Sequence, residues 1–257
     1  MDLKIKNNYF IVGGAGSGFG KSVAITLANE GAKVLAIART QSNLEILKNK
    51  FPENIDFIAA DITNEETHTE ILDYFKNKTL SGIFINAGGP PAGGFNDISM
   101  DQWDDAWKSV VRWKIALTKR LVPLLKQNQY GRILFLESVS VKQPVANLIL
   151  SNALRTAVVG FAKTLSQEIM PEGITVNVMA PGYHTTAAME RLFIKKSEVN
   201  GISVEEAKKD FEKEIPSGKM GNPDLLATLA VWLLSPLSEY VTGETITHSG
   251  GIVKGLL

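Results

Sequence analysis

The chain has 257 residues, its 27 lysines and arginines balance 27 aspartates and glutamates, and it contains no cysteine. This length suits one large hydrophobic core, and zero formal charge leaves no electrostatic footprint for nucleic acid or an acidic membrane surface. The missing cysteines exclude disulfides and thiolate chemistry, and the three histidines at positions 68, 184 and 248 are too scattered for a local metal motif, so we expect no metal site.

Short apolar runs alternate with segments of helical periodicity along the chain. Six runs are predicted as buried strands, at residues 9–12, 34–38, 57–60, 83–85, 133–136 and 175–179. Helices are predicted between them, at residues 21–29, 43–49, 65–75, 100–127 and 146–169. This alternation is typical of βαβ units. We therefore predict an α/β fold, with one doubly wound parallel sheet, helices on both faces, and a single domain over residues 1–257.

Residues 185–219 break this alternation. The segment is rich in charged residues and ends near Pro216 and Gly218. One interpretation is a solvated pair of surface helices. The other is a mobile flap over a substrate site, because long excursions in compact α/β domains are often functional.

A glycine-rich loop follows the first predicted strand and opens the first helix. Residues 13–20 read Gly-Gly-Ala-Gly-Ser-Gly-Phe-Gly. Glycines allow a tight turn and a close backbone approach to a pyrophosphate, and the helix N-terminus offers free N–H groups and a partial positive charge. The strand before and the helix after match the context of a dinucleotide site. The predicted cofactor contacts in this loop are Gly14, Ser17, Gly18, Phe19 and Gly20.

The end of the second strand indicates which dinucleotide is bound. An acidic residue there would bind the 2′-hydroxyl of NAD, but this chain has Ala38-Arg39-Thr40. Arg39 can pair with a 2′-phosphate through two hydrogen bonds. The alternative is that Arg39 is only a solvated residue at a strand end. We predict NADP(H) as the preferred cofactor, contacted by Arg39 and Thr40, with NAD(H) as the second option.

Further motifs stand at the ends of later strands. Asp61-Ile62 follows the third strand, Asn86-Ala87-Gly88 follows the fourth, and Pro181-Gly182 with Thr186 follows the sixth. Together with the glycine loop, these motifs resemble those of the short-chain dehydrogenase/reductase family over nearly the whole chain. Gly13 stands where that family usually has threonine. Residues 88–91, 138–144 and 150–155 are more narrowly similar to β-ketoacyl-carrier-protein reductases.

The resemblance implies a Rossmann sheet of about seven strands, NAD(P)(H) redox chemistry, and a homotetramer or homodimer. It places adenine contacts at Asp61 and Ile62 and nicotinamide contacts at Pro181, Gly182 and Thr186. Asn86, Ala87, Gly88 and His184 complete the expected cofactor site. The expected partner is a small carbonyl or alcohol compound, with an acyl chain as one option, rather than nucleic acid or a membrane. The polar N-terminus and the short apolar stretch at 225–234 predict a cytoplasmic protein.

The catalytic positions depart from the family pattern. The family carries a serine, a Tyr-x-x-x-Lys motif on the next long helix, and an asparagine on the preceding helix. Ser138 matches the serine, but Ser151 takes the tyrosine position, Arg155 the lysine position and Val110 the asparagine position. Ser151 is too weak an acid to replace a phenol, whereas Arg155 can bind ribose hydroxyls but stays protonated. The alternative is that Ser151 and Arg155 only cap and solvate a helix.

Other residues are candidates for the missing proton donor. Lys142 lies four residues after Ser138, and Tyr183 and His184 follow the Pro-Gly segment. For each of them, a packing or surface role is the alternative. Glu137 directly precedes Ser138, and strand alternation predicts that it points to the opposite face.

These residues predict an NADP(H)-dependent oxidoreductase that transfers a hydride to or from a carbonyl or alcohol substrate. Ser138 would polarise the substrate oxygen and Arg155 would hold the ribose, with Ser151 on the same helix face. Lys142, Tyr183 or a water molecule would deliver the proton. The alternative from another class is a catalytically silent NADP(H)-binding pseudoenzyme, acting as a sensor or an oligomer partner. A Rossmann-type methyltransferase is disfavoured because no acidic residue ends the second strand.

Overall fold

Seven parallel strands form one sheet in the computed structural model, which describes residues 1–256 and, for Lys195, the backbone alone. The strands are β1 (Tyr9–Gly13), β2 (Lys33–Ala38), β3 (Ile55–Ala59), β4 (Leu80–Ile85), β5 (Gly131–Leu136), β6 (Ile174–Pro181) and β7 (Thr245–His248). Their order across the sheet is β3-β2-β1-β4-β5-β6-β7. The predicted doubly wound α/β fold is confirmed. Leu257, the last residue of the predicted domain, lies outside the described residues.

Helices cover both faces of the sheet. They are α1 (Gly18–Asn29), α2 (Gln41–Lys50), α3 (Glu65–Tyr74), α4 (Met100–Trp107), α5 (Trp113–Gln127), α6 (Ile149–Ile169), α7 (Ala187–Asn200), α8 (Val204–Lys213) and α9 (Pro223–Leu234). One apolar core lies between the sheet and α1, α2 and α9, and the other between the sheet and α3, α5 and α6. Alternation along each strand supplies both cores, since Phe10 and Val12 enter the first and Ile11 enters the second. No helix in residues 1–256 has both the length and the apolarity needed to cross a lipid bilayer.

The strands extend beyond the predicted apolar runs. β5 begins at Gly131, and the next residue, Arg132, is buried because its guanidinium donates to the carbonyls of Ser235 and Gly131. The resemblance implied a seventh strand, but the apolar runs did not locate β7, because Thr-Ile-Thr-His lacks such a run. It pairs with β6 alone. Polar residues can belong to a buried strand when they find hydrogen-bond partners. A strand end made of such residues is therefore not predicted from a run of apolar residues.

The single helix predicted over residues 100–127 is wrong, because a π-helical turn at Lys108–Arg112 divides it into α4 and α5. Side-chain donors occupy backbone carbonyls at this point. The Ser109 hydroxyl donates to the Asp105 carbonyl, and the Trp113 indole donates to the Ser109 carbonyl. These side-chain donors compete with backbone N–H groups for the same carbonyls, which weakens the regular hydrogen bonds of the α-helix. The turn carries Val110, which is buried.

Residues 185–219 form α7, α8 and the connections around them. The two helices enclose a small apolar cluster outside the two main cores, built on Phe193, Ala207, Ile215 and Met220. Thr186 caps α7, since its side chain accepts from the Met189 N–H, and Ser203 with Glu206 forms a capping box on α8. The segment therefore has packing and caps of its own.

We predict that Phe135→Ala destabilises the fold. Phe135 is fully buried and its ring meets Phe161 edge-on at 6.1 Å between centroids. Removing a buried ring costs about 3–5 kcal/mol of unfolding free energy. Phe95→Ala is the matched control, because Phe95 is 78% exposed and its loss is expected to change stability by about 0.5 kcal/mol or less. Urea unfolding measures both, and equal midpoints for the two variants would contradict the assignment of the core.

We also predict that stability falls as the pH drops below 6.5. His68 on α3 is fully buried, its Nε2 donates to the Ile62 carbonyl, and its Nδ1 has no partner among the described residues. Burial lowers the pKa of His68 below its ordinary value of 6.5, and the bond to Ile62 opposes that shift. The unfolded chain therefore takes up a proton at a higher pH than the folded chain, so stability is lost as the pH falls from 6.5 toward the folded-state pKa.

The His68→Gln variant supplies the control for this pH dependence. Its amide can donate the same hydrogen bond but does not titrate. Unfolding measured above and below pH 6.5 should show a shallower loss in the variant than in the wild-type protein. Equal slopes would show that His68 does not carry the effect.

Candidate functional site

The predicted motifs gather at the carboxyl ends of the parallel strands. β2 and β4 lie on opposite sides of β1, so the chain connections diverge there and leave a crevice. Residues 13–20 follow β1, residues 38–40 end β2, residues 61–62 lie beyond β3, residues 86–88 follow β4, and residues 181–186 follow from the end of β6. The topology therefore brings distant parts of the sequence to one edge of the sheet.

The glycine loop is packed too closely for side chains. Gly14 has a φ of 64°, and a Cβ there would lie 2.5 Å from Nδ2 of Asn86. A Cβ on Gly13 would lie 2.6 Å from the Asn86 carbonyl oxygen, and one on Gly20 would overlap the Gly14 carbonyl. Gly13, which replaces the threonine usual in the resembled family, thus allows the close approach of Asn86 seen here. At its glycines the loop presents backbone to the crevice.

The start of α1 fits a bound phosphate. Ser17 precedes α1 in an extended conformation, is exposed, and makes no side-chain capping bond. Its hydroxyl and the first N–H groups of the helix are therefore available to an anion. Thr186 lies opposite, with its methyl group 3.6 Å from the position that a Cβ would take on Gly18. The residues present fit the pyrophosphate of a dinucleotide.

Arg39 and Thr40 stand beside this loop. Both are exposed, and Thr40 is the N-cap residue of α2. A Cβ on Gly16 would lie 3.1 Å from Cβ of Ala38, so the end of β2 is in contact with the loop. An exposed guanidinium at this place can reach an anionic group of a nucleotide bound beside the end of β2.

Asp61, Ile62 and Asn86 form the floor between β1 and its neighbours. The Asp61 carboxylate accepts from the N–H and the hydroxyl of Thr63, both at 2.9 Å, which fixes the turn after β3. Ile62 is buried against Gly13. The Asn86 amide donates to the Gly13 carbonyl at 3.3 Å. Ala87 is half-buried, and Gly88 is exposed to open space.

The segment after β6 is fastened to β7. Pro181 is buried, and the Gly182 N–H donates to the His248 carbonyl at 3.1 Å. Nδ1 of His184 lies 3.0 Å from the Gly182 carbonyl, and its Nε2 lies 2.8 Å from Nδ1 of His248. The His184 ring also meets Phe19 edge-on at 5.0 Å. Burial lowers the pKa of His184, which keeps a neutral imidazole behind the glycine loop.

Ser138 and the pair Ser151–Arg155 stand at the ends of β5 and α6. Ser138 is half-buried, and its Oγ accepts from the Ser140 N–H at 3.2 Å. Nε of Arg155 donates to Oγ of Ser151 at 3.0 Å. The outer nitrogen of Arg155 lies beneath Gly89, 2.8 Å from the position of a Cβ there. Arg155 therefore lies under the segment that follows β4.

Two further charged residues join this group, and the sequence pattern did not indicate them. The Glu137 carboxylate accepts from Nη1 of Arg155 at 2.9 Å and, through its other oxygen, from Nζ of Lys114. Glu137 points away from the face of Leu136, and α6 brings Arg155 to the same side as Glu137, so alternation alone does not remove Glu137 from this group. Lys114 could have been found, because it shares the buried face of α5 with Leu117 and Leu121.

The contacts of Lys142 and Tyr183 are with other parts of the structure than Arg155. Lys142 lines a cavity of about 340 Å³ together with Ser249 and Gly250. The Tyr183 hydroxyl donates to Glu214 at 3.2 Å, at the end of α8. Burial and then the Glu214 carboxylate raise the pKa of Tyr183 to about 12. Tyr183 is thus a weaker acid than a free phenol.

Comparison with known proteins agrees with this geometry. The family model described as Enoyl-(Acyl carrier protein) reductase matches residues 14–253. The chain is 27% identical to the NADPH-dependent reductase BacG of Bacillus subtilis over 98% of this chain and 99% of that protein. It is 26% identical to the 3-oxoacyl-[acyl-carrier-protein] reductase FabG of Vibrio cholerae, over 97% and 99%.

Solved structures show the same fold. The crystal structure of YwfH, an NADPH-dependent reductase involved in bacilysin biosynthesis, has a TM-score of 0.92 and 25% identity over 98% of this chain and all of that one. The L-sorbose reductase of Gluconobacter frateurii, complexed with NADPH and L-sorbose, has a TM-score of 0.94 and 25% identity over the whole of both chains. The chain therefore belongs to the short-chain dehydrogenase/reductase family, as an oxidoreductase with a Rossmann fold.

Proposed function

We propose that this protein is an NADPH-dependent reductase that acts on a small carbonyl compound, or on the matching alcohol in reverse, without the tyrosine acid of its family. The observation that carries the proposal is the convergence of the glycine loop, Asn86 and Thr186 on one crevice whose shape fits a dinucleotide. The family and its NADPH-dependent relatives support the same chemistry. Bound NADPH would supply the hydride.

Residues of the chain would bind the separate parts of the cofactor. Arg39 and Thr40 would hold the 2′-phosphate, while the N-terminus of α1 with Gly14, Ser17, Gly18, Phe19 and Gly20 would bind the pyrophosphate. Asp61 and Ile62 would line the adenine pocket, with Asn86, Ala87 and Gly88 along the floor. Pro181, Gly182 and Thr186 would fix the nicotinamide end, with His184 packed behind them. The segment 185–219 would cover the substrate.

At the reacting oxygen, hydroxyl groups replace the phenol. Ser138 would donate a hydrogen bond to the substrate oxygen as negative charge develops on it. Arg155 would bind ribose hydroxyls and support Ser151, which occupies the position of the tyrosine in the family. The side chain of Tyr183 is engaged by Glu214, so we assign it to the attachment of α8. Water, or Lys142 through water, would deliver the final proton.

Turnover is tested by following NADPH oxidation with a panel of ketones, aldehydes and 3-oxoacyl thioesters, and NADP⁺ reduction with the matching alcohols. NADPH binding is measured separately through quenching of the four tryptophans. The proposal expects both binding and turnover with at least one compound. Binding without turnover across the panel would reject the reductase and leave a nucleotide-binding protein.

Ser138→Ala is predicted to lower kcat about a hundredfold, the usual loss when one donor to a developing oxyanion is removed. The Kd for NADPH should stay within about twofold, because the hydroxyl is assigned to the substrate and not to the cofactor. Ser140→Ala is the matched control. It lies in the same short turn, and it retains the backbone N–H that bonds to Ser138. Equal losses in the two variants would remove Ser138 from the reaction.

Arg39→Ala is predicted to raise the Kd for NADPH about tenfold or more and to leave the Kd for NADH nearly unchanged, since a hydrogen bond between charged groups contributes about 1.5–3 kcal/mol. Titration by tryptophan quenching measures both constants. Lys76→Ala removes another exposed cation, one that pairs with Asp73 at the end of α3, and should change neither constant. A parallel rise of both constants in Arg39→Ala would contradict recognition of the 2′-phosphate.

A further inference from the structure

A carboxylate enclosed by two cations lies between β5, α5 and α6. The Glu137 side chain is fully buried, and the exposed fractions of its partners are 4% for Lys114 and 13% for Arg155. One carboxylate oxygen accepts from Lys114, and the other accepts from Nη1 of Arg155 at 2.9 Å. The three residues, which we call the buried charge cluster, carry one net positive charge.

The fold itself does not require these charges. Lys114 projects from the buried face of α5, whose neighbouring positions carry Val110, Leu117 and Leu121. Transfer of ions out of water costs several kcal/mol each, and apolar residues of similar volume are often at least as stable in such places. A buried charge cluster at the edge of the cofactor crevice is therefore better explained by what it holds in place.

The cluster fixes the donors of Arg155. Its Nη1 is bound to Glu137, its Nε donates to Oγ of Ser151 at 3.0 Å, and its Nη2 lies against Gly89. Because Ser151 accepts this bond, its own hydroxyl proton is left to donate. Within residues 1–256 that proton has no protein acceptor. A hydrogen bond from a cation also polarises the hydroxyl and makes it a stronger donor.

We propose that Glu137 is a positioning residue, which holds Arg155 so that the Ser151 hydroxyl donates to the substrate oxygen beside Ser138, and that Lys114 is its charge partner. This inference rests on the proposed function and extends it to two residues outside the family motif. Ser151 then acts as a second hydrogen-bond donor in the transition state, while Arg155 keeps one nitrogen against the segment that follows β4. Glu137 acts through Arg155, Lys114 only balances the charge of Glu137, and neither side chain touches the substrate.

The charges of the cluster depend on one another, which decides the design of the test. Burial lowers the pKa of Lys114, and the Glu137 carboxylate opposes that shift. Glu137→Gln alone would leave Lys114 and Arg155 as two buried cations without a carboxylate, and that variant should lose stability. The double variant Glu137→Gln with Lys114→Met again carries one net positive charge, on Arg155, but Arg155 has lost its carboxylate.

Four quantities are measured on the wild type, on Glu137→Gln, on Lys114→Met and on the double variant. They are the urea midpoint, the Kd for NADPH, and kcat and KM with the compound found in the panel. We expect the double variant to regain a midpoint close to the wild type. Its kcat should stay at least about tenfold lower, a change of 1.36 kcal/mol, with KM little changed, and its Kd for NADPH should rise about fivefold. Lys114→Met keeps the pair of Glu137 with Arg155 and should retain most of the activity.

The opposite result is equally specific. If the urea midpoint, the Kd for NADPH and kcat of the double variant all return to the wild-type values, the cluster has only a structural role. That result would overturn the inference. Failure of the wild type to turn over any compound would reject the proposed function instead. In that case the Kd still decides the inference, because an unchanged Kd in the double variant would show that Glu137 does not position Arg155.

A second variant displaces Arg155 and leaves the buried charges unchanged. Gly89→Ala places a methyl group 2.8 Å from Nη2 of Arg155, so it should lower kcat at least about tenfold at an unchanged urea midpoint. Gly160→Ala is the control on α6, since a methyl group there meets nothing within 4 Å. If the double variant does not regain stability, this pair decides the inference. Unchanged kcat and Kd in Gly89→Ala would overturn it.

Discussion

The contact between the end of β1 and Asn86, which follows the neighbouring strand β4, is the constraint on which the site depends. The Asn86 amide donates to the Gly13 carbonyl, and a Cβ on Gly13 would lie only 2.6 Å from the Asn86 carbonyl oxygen. The ends of the two parallel strands thus meet so closely at the switch point that Gly13, Gly14 and Gly20 of the loop leave no room for side chains. Because α1 starts from that loop, its free N–H groups are aimed into the crevice. A side chain at Gly14 or Gly20 would separate these parts before it touched any ligand.

The part of the site assigned to the cofactor and the part beside Ser138 depend on different interactions. The half for the cofactor is shaped by backbone contact and needs few side-chain charges. The half beside Ser138 depends on charges that lie out of water, where each interaction is stronger and each unpaired group is more costly. A phenol works through its own acidity, whereas serine hydroxyls work only as well as they are oriented. In the mechanism proposed above, the buried Glu137 carboxylate bound to Arg155 would supply this orientation to Ser151.

The fold and the half for the cofactor could be predicted because both depend on local patterns. Apolar runs marked six strands, and glycines marked the loop, in which a Cβ on Gly13, Gly14 or Gly20 would clash. β7 escaped because its Thr-Ile-Thr-His sequence has no such run, and the π-helical turn at Lys108–Arg112 escaped because side-chain donors to backbone carbonyls leave helical periodicity intact. The contacts of Glu137 could not be predicted for another reason. Alternation gives the face of a residue, but not the helix packed there, and Arg155 reaches that face from a helix that begins 12 residues later in the chain.

Tyr183 shows why proximity in sequence to a functional motif is a weak guide to chemistry. It follows the Pro-Gly segment directly, yet its hydroxyl is bound to Glu214 and its ring meets Phe211 edge-on at 5.2 Å. His184, the next residue, joins His248 on β7 and Phe19 in the glycine loop. These two side chains therefore connect α8, β7 and the cofactor loop through one short segment.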